Sequence, residues 1–258
     1  MPELPDLQVF SNNLDKKLSG KKLETIEIKN TSKLKISEKE IKKTLENQRL
    51  KEVYREGKEL RFKFENDILG MHLILNGDLY YFEKTNNHKN TIVEFLFDDD
   101  TGLCMTDYQG MAHITLNPEE RKSPDALSKE VNFDFLNEQL SAKRTVIKTL
   151  LLDQKIIKGI GNAYADEILW DAGISPFSVS NKIPADKLKA LAASIKTILN
   201  NAEKQIKKSH PDIIKGEVRD FLLIHNSKKK TSPGGAQILQ KEIGGRKTYY
   251  TNEQELYK

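Results

Sequence analysis

Cysteine is nearly absent from this chain of 258 residues. The single Cys104 excludes a disulfide within the chain and a thiolate zinc site, and it points to a reducing, intracellular setting. Histidine is sparse too: His72, His88, His113, His210 and His225 are scattered, with no pair at metal-binding spacing. No apolar run approaches the roughly 20 residues that cross a bilayer, and no signal peptide is recognisable at the start. These absences exclude a membrane-spanning helix and a disulfide-stapled domain. What remains is polar, with 37% hydrophobic and 31% charged residues. The apolar residues fall in periodic blocks, so a folded protein is expected, with length enough for two domains.

The net charge of +4 hides an asymmetry. Residues 1–140 carry 21 Lys/Arg against 26 Asp/Glu, a balance of −5, whereas residues 141–258 carry 21 against 12, a balance of +9. A basic half fits an anionic partner, nucleic acid first among them. Charge alone fits a solubilising lysine-rich surface equally well.

Periodicity divides the chain. Pro5 and Asp6 suit the first turn of a helix that runs through Leu7, Phe10, Leu14 and Leu18 and closes at Gly20. The pattern then changes to period two. Strands are expected at Thr25–Lys29, Lys51–Arg55, Leu60–Phe64, Met71–Leu75, Leu79–Phe82 and Thr91–Phe97, with a short helix at Glu38–Leu45 behind Ser37. A polar stretch at 117–131 reads as a linker. Beyond it, helices are expected at Phe133–Leu140, Lys143–Leu152, Asn162–Trp170, Ala185–Lys208 and Gly216–Ile224, then a hairpin turning at Gly244-Gly245. The expected class is α+β: a helix plus antiparallel β-sandwich at 1–116, a helical domain at 132–226 and a basic segment with a hairpin at 227–258.

Two features carry chemistry. Trimming of Met1 before a proline would leave Pro2 as a secondary amine. An α-amino group titrates near about 8, against about 10.4 for lysine, and a helix N-terminus disfavours its protonation further. Such an amine can attack an electrophilic sugar carbon and pass to an iminium, with Glu3 moving the proton. By themselves, Pro2 and Glu3 are equally ordinary residues leading into a helix. The second feature is Lys155–Glu167, KIIKGIGNAYADE. Its glycines follow a helix and the third glycine position holds Tyr164, so a dinucleotide fingerprint is rejected. A tight turn between helices, with amides exposed for a phosphate and Asn162 capping the next helix, fits better.

MPELPDLQ, the Gly57-Lys58 pair, LLLDQKIIKGIGNAYADEILWDAGISP and GGRKTYY occur in this order across nearly the whole chain. Together they resemble the formamidopyrimidine-DNA glycosylase and endonuclease VIII family. The resemblance implies a catalytic β-sandwich, a helix-two-turns-helix domain and a finger hairpin. It also implies a bifunctional enzyme that flips a damaged base out of duplex DNA, cuts its glycosidic bond and nicks the strand by elimination. By motif, Pro2 is the implied nucleophile, Glu3 the acid and proton shuttle, and Lys58 the turn lysine at the phosphate near the lesion. The even positions Leu60, Phe62 and Phe64 are apolar, which gives Lys58 the parity of the inward face. His72, Asn162 and Arg246 become DNA-backbone ligands, and Asp6 stands where a glutamate is usual. The implied partner is damaged double-stranded DNA, bound by a monomer in the bacterial cytosol without cofactor or membrane.

Three departures bear on substrate. The finger lacks cysteine and resembles those of zincless members. The loop DYQGMAH, Asp107–His113, lacks the paired arginines and phenylalanine with which relatives fill the gap left by a flipped base. Leu75 and Met111 are the only apolar candidates for filling that gap, with Tyr108 and Gln109 beside them. The segment between Phe221 and the finger is short, without the loop that covers an oxidised purine in some relatives. The rival reading is a damage-recognising DNA-binding protein that does not cut; a ribosome or RNA factor leaves the amino terminus unexplained. Chelators are expected to leave folding and DNA binding unchanged, checked by titrating DNA with and without EDTA. Stoichiometric zinc in elemental analysis would defeat the zincless reading.

Overall fold

The computed structural model describes residues 1–120 and 122–258, which form two compact units. The first comprises Met1–Glu120 together with Ile206–Glu217, and the second Arg121–Gln205 with Val218–Lys258. Within the first unit, the Asn13 amide of the N-terminal segment donates to the carbonyls of Pro211 and Ile213 at 2.8 and 2.9 Å.

The first unit opens with α1 (Leu4–Leu18), β1 (Leu23–Ile28) and α2 (Glu38–Leu45). Seven strands follow: β2 (Leu50–Glu56), β3 (Glu59–Phe64), β4 (Ile68–His72), β5 (Asp78–Glu83), β6 (Thr91–Phe97), β7 (Thr101–Thr106) and β8 (His113–Leu116). With β1 they form two antiparallel four-stranded sheets, ordered β1-β6-β7-β5 and β2-β3-β4-β8. One core lies between them. Phe62 of β3 and Phe95 of β6 stack across it with centroids 6.0 Å apart. The stripe Leu7, Phe10, Leu14 and Leu18 turns α1 into the same core, each side chain worth about 2 kcal/mol when buried. Asp15 of α1 accepts the Val53 amide of β2 at 2.8 Å.

Period-two reading overlooked β7 and β8. In β7, Gly102 through Thr106 are all buried, so this interior strand shows no alternation to detect. The strand expected at Met71–Leu75 ends at His72, because Ile74 takes a left-handed φ of 52° and turns the chain.

The second unit holds α3 (Phe133–Ser141), α4 (Ile147–Leu152), α5 (Asn162–Asp171) and α6 (Ala185–Ser209), whose last turn belongs to the first unit. The hairpin β9 (Leu239–Ile243) and β10 (Arg246–Tyr250) completes it. Its two-residue turn uses Gly244 and Gly245 at φ 57° and 72°, the doubly left-handed geometry that follows strand twist. Among the described residues no helix is long and apolar enough to cross a membrane.

Two expected helices are corrected. The one expected from Lys143 begins only at Ile147, since Val146 bridges to Val179 and the Ile147 amide donates to Ser178. The helix expected at Gly216–Ile224 does not form. Gly216 is left-handed, and the amides of Leu223, Ile224 and His225 donate to the Glu167 carboxylate at 2.9, 2.7 and 2.7 Å, not to a preceding helical turn. Burial pushes the Glu167 carboxyl up despite these three donors.

Beside Glu167 lies a wholly buried ion pair, Lys148 of α4 with Asp166 of α5, at 2.7 Å. Asp166 also accepts from the Tyr249 amide at 2.9 Å and meets His225 Nδ1 at 2.7 Å, while Lys148 donates to Thr248 Oγ1 at 2.8 Å. The pair therefore fastens β10 to the helices. Removing one partner strands the other charge in the interior. Lys148→Met is expected to destabilise the protein by about 3–5 kcal/mol. Adding Asp166→Asn, which keeps an acceptor for Tyr249, should recover most of that loss in denaturant titrations.

Candidate active site and nucleic-acid interface

Pro2 and Glu3 are buried at the start of α1, Glu3 being 4% exposed. Glu3 is the N-cap, and its amide donates to the Asp6 carboxylate at 2.9 Å, so Asp6 braces the residue it follows. The Met1 amino group pairs with Glu217. In this unprocessed chain the Pro2 nitrogen is an amide and has no nucleophilic lone pair.

Lys58 lies in a two-residue turn between β2 and β3, not on the strand itself, which begins at Glu59. Gly57 at φ 58° supplies the left-handed first position that a hairpin turn of this kind requires. Arg55 donates to the Gly57 carbonyl and to Gln8 Oε1 of α1, both at 3.0 Å. The lysine turn is thus tied to the helix that carries Pro2 and Glu3. Leu60, Phe62 and Phe64 face the core, as parity required.

His72 is the last residue of β4 and is not solitary. His113 lies opposite it on β8, with the rings stacked 5.6 Å apart. His72 Nδ1 accepts the Ile74 amide at 3.2 Å, which leaves the proton of a neutral ring on Nε2. Two loops near this strand end present apolar side chains to solvent. Leu75 is 59% exposed in a turn where Gly77 leaves no room for a Cβ, only 2.4 Å from the Leu73 carbonyl oxygen. In the second loop the buried Asp107 carboxylate accepts amides from Gln109, Met111 and Ala112 at 2.9, 2.7 and 2.8 Å. That bracing displays Tyr108 at 70% exposure and Met111 at 44%. Asn76 Nδ2 donates to Gln109 Oε1 at 2.7 Å and joins the two loops. The sequence had marked Leu75 and Met111; the prominence of Tyr108 comes from the Asp107 brace, whose signal was an aspartate three residues before Gly110.

In the second unit, Gln154 staples the glycine turn. Its amide donates to Leu152 and Ile160 carbonyls, both at 3.0 Å, and its oxygen accepts from Gly159 at 2.9 Å. Asn162 does not cap α5. Gly161 is the N-cap and Asn162 the first helical residue, with its Nδ2 donating to the Lys247 carbonyl at 2.9 Å. An amide nitrogen carries two N–H groups, so one is left for an anion at the helix start. Because its partner is on β10, Asn162 is coupled to the finger tip, where Arg246 and Lys247 are exposed. Among the described residues no group of three or more His, Cys, Asp or Glu is arranged to hold a metal ion. Cys104 is buried in β7, where burial pushes its thiol up to about 11.

The family model described as the formamidopyrimidine-DNA glycosylase N-terminal domain matches residues 1–114, and that of the H2TH domain matches residues 123–211. A formamidopyrimidine-DNA glycosylase of Lactobacillus gasseri is 34% identical over 80% of this chain and 78% of its own length. One of Mycoplasma genitalium is 30% identical over 97% and 94%. Among solved structures, the Lactococcus lactis Fpg protein with DNA containing an abasic site covers 98% of this chain and 100% of its own, at 25% identity and TM-score 0.88. MutM with DNA containing carbocyclic 8-oxo-G matches to the same extent, also at TM-score 0.88. With both characteristic domains matched in order and the fold shared end to end, this chain belongs to the formamidopyrimidine-DNA glycosylase family.

Proposed function

We propose that this protein is a bifunctional DNA glycosylase and abasic-site lyase of base excision repair, acting on oxidised bases in duplex DNA. The observation that carries the reading is the coupling of the amino terminus to the lysine turn: Arg55 ties Lys58 to the helix that Glu3 caps. Pure DNA binding requires none of this arrangement.

Removal of Met1 frees the Pro2 amine. Its lone pair attacks C1′ of the flipped nucleotide, the glycosidic bond breaks, and the base leaves with a proton taken from an acid. The attached nitrogen then gives up its single proton, and its lone pair opens the C1′–O4′ bond as O4′ is protonated; this gives an iminium between Pro2 and C1′, with Glu3 moving the protons. The iminium acidifies C2′, and loss of that proton expels the 3′-phosphate. Water then hydrolyses the iminium and regenerates the amine. Lys58, His72, Asn162 and Arg246 hold backbone phosphates through this sequence.

Leu75, Met111 and Tyr108 fill the space vacated by the flipped base. Gln109 is engaged with Asn76 and no arginine stands in this loop, so the partner base is met by stacking rather than by a hydrogen-bonded check.

With Met1 removed, borohydride is expected to fix the protein covalently to an abasic-site duplex through Pro2, as read by mass spectrometry of the tryptic adduct. Pro2→Gly should weaken trapping and a retained Met1 should abolish it. Trapping that survives a blocked amino terminus would move the nucleophile to a lysine. In single-turnover assays, oxidised pyrimidines, ring-opened purines or hydantoins should be cut faster than 8-oxoguanine opposite cytosine, with little dependence on the opposite base. Leu75→Ala should slow cutting of duplex substrates more than of single strands. A clear lead for 8-oxoguanine opposite cytosine would refute the loop argument.

A further inference from the structure

Lys228, Lys229 and Lys230 take no part in the steps above, yet they are the only three consecutive basic residues of the chain. A lysine run on a surface ordinarily serves solubility alone. Three features set this one apart.

First, its main chain is fixed. Asn226 Oδ1 accepts the Lys228 amide at 3.0 Å, and the Asn226 carbonyl accepts the Lys229 amide at 3.1 Å, a turn built by one asparagine. The Ile238 amide donates to the Lys230 carbonyl at 2.9 Å, which lays the run against the base of the finger hairpin. Just ahead of the turn, the His225 ring meets Tyr249 of β10 edge-on with centroids 4.8 Å apart.

Second, its charge is uncompensated. Lys228 and Lys230 are exposed, and among the described residues no carboxylate pairs with either ammonium. Residues 226–250 carry six Lys/Arg against one Asp/Glu, a balance of +5. The one acid, Glu242, stands opposite Lys247 in the hairpin register.

Third, the spacing suits a duplex. Lys230 adjoins Ile238, and Arg246 pairs with Ile243. Five strand steps of about 3.4 Å separate them by about 17 Å, the length of about five base-pair steps.

We propose that Lys228 and Lys230 form a second phosphate grip beside the finger, holding the DNA backbone within about five base-pair steps of the phosphate that Arg246 takes. An ammonium is a compact charge with three donors, so it meets a phosphate without the fixed fork that arginine needs and reads no sequence. Each one that reaches a phosphate releases condensed counterions. The inference rests on the DNA-binding reading of the finger.

The test is equilibrium binding of the full chain across a salt series, to a duplex carrying an uncleavable tetrahydrofuran abasic analogue and to the same duplex without it. Both side chains are exposed, so replacing them strands no buried group. Lys228→Gln with Lys230→Gln should lower the log–log salt slope by about 2 and lose about tenfold in affinity at physiological salt, on both duplexes alike. Lys228→Arg with Lys230→Arg should keep the parent slope. When the abasic duplex is trimmed pair by pair, the gap between the parent and the glutamine variant should close on trimming from one end only. An unchanged slope in the glutamine variant, or a gap that closes equally from both ends, would overturn the inference while leaving DNA binding intact. An arginine variant as weak as the glutamine one would overturn it as well, since the effect would then not be one of charge. A parent chain without salt-dependent DNA binding would overturn the DNA-binding reading itself.

Discussion

Burial of one helical stripe governs the first unit. A chain terminus ordinarily frays, because its residues have too few contacts to offset the entropy of ordering them. Here Leu7, Phe10, Leu14 and Leu18 lock α1 into the core between the sheets, and Pro2 and Glu3 just ahead of it are buried. Glu3 and Asp6 complete the helix start with their own polar groups. The amine proposed as nucleophile would need this anchoring, since a small drift in an attacking nitrogen costs far more rate than stability.

A second constraint operates on the finger hairpin. A two-stranded hairpin is marginal alone, and this one shows solvent along much of both strands. Its hold on the second unit comes through β10, where Lys148, Asp166 and Asn162 engage the backbone or side chains of Lys247, Thr248 and Tyr249. The same acidic pair of residues does two jobs. Asp166 secures β10, and Glu167 gathers the amides of 223–225 into a loop that would otherwise have had the option of a helix. Polar groups buried at this density stabilise only when they are all satisfied, which makes the cluster sensitive to any single replacement.

Charge is deployed with similar economy around the lysine turn. The first half of the chain is acidic. Around the Lys58 turn, Arg61 faces Glu56 and Glu59, and Arg55 is committed to the turn carbonyl and to α1. The balance of +9 in the second half fits long-range attraction to DNA.

Much of this was legible in the linear chain. Period 3.6 marked α1 and α6, period two marked six of the eight strands of the first unit, and Gly244-Gly245 marked the hairpin turn, because each pattern is a local consequence of backbone geometry. The motifs around Pro2, Lys58 and Asn162 were equally plain, since a tight turn or helix start admits few residue types. The remainder depended on contacts between distant residues. Strand β7 hid because both its faces are buried. The segment 216–224 departed from its helical pattern because Glu167 took its amides. Asn162 left its capping role for the Lys247 carbonyl, and Arg61 lies buried on β3 against Glu59. Local sequence determined which elements could form; the competition for hydrogen-bond partners and buried space, which only the folded chain resolves, decided what each polar side chain does.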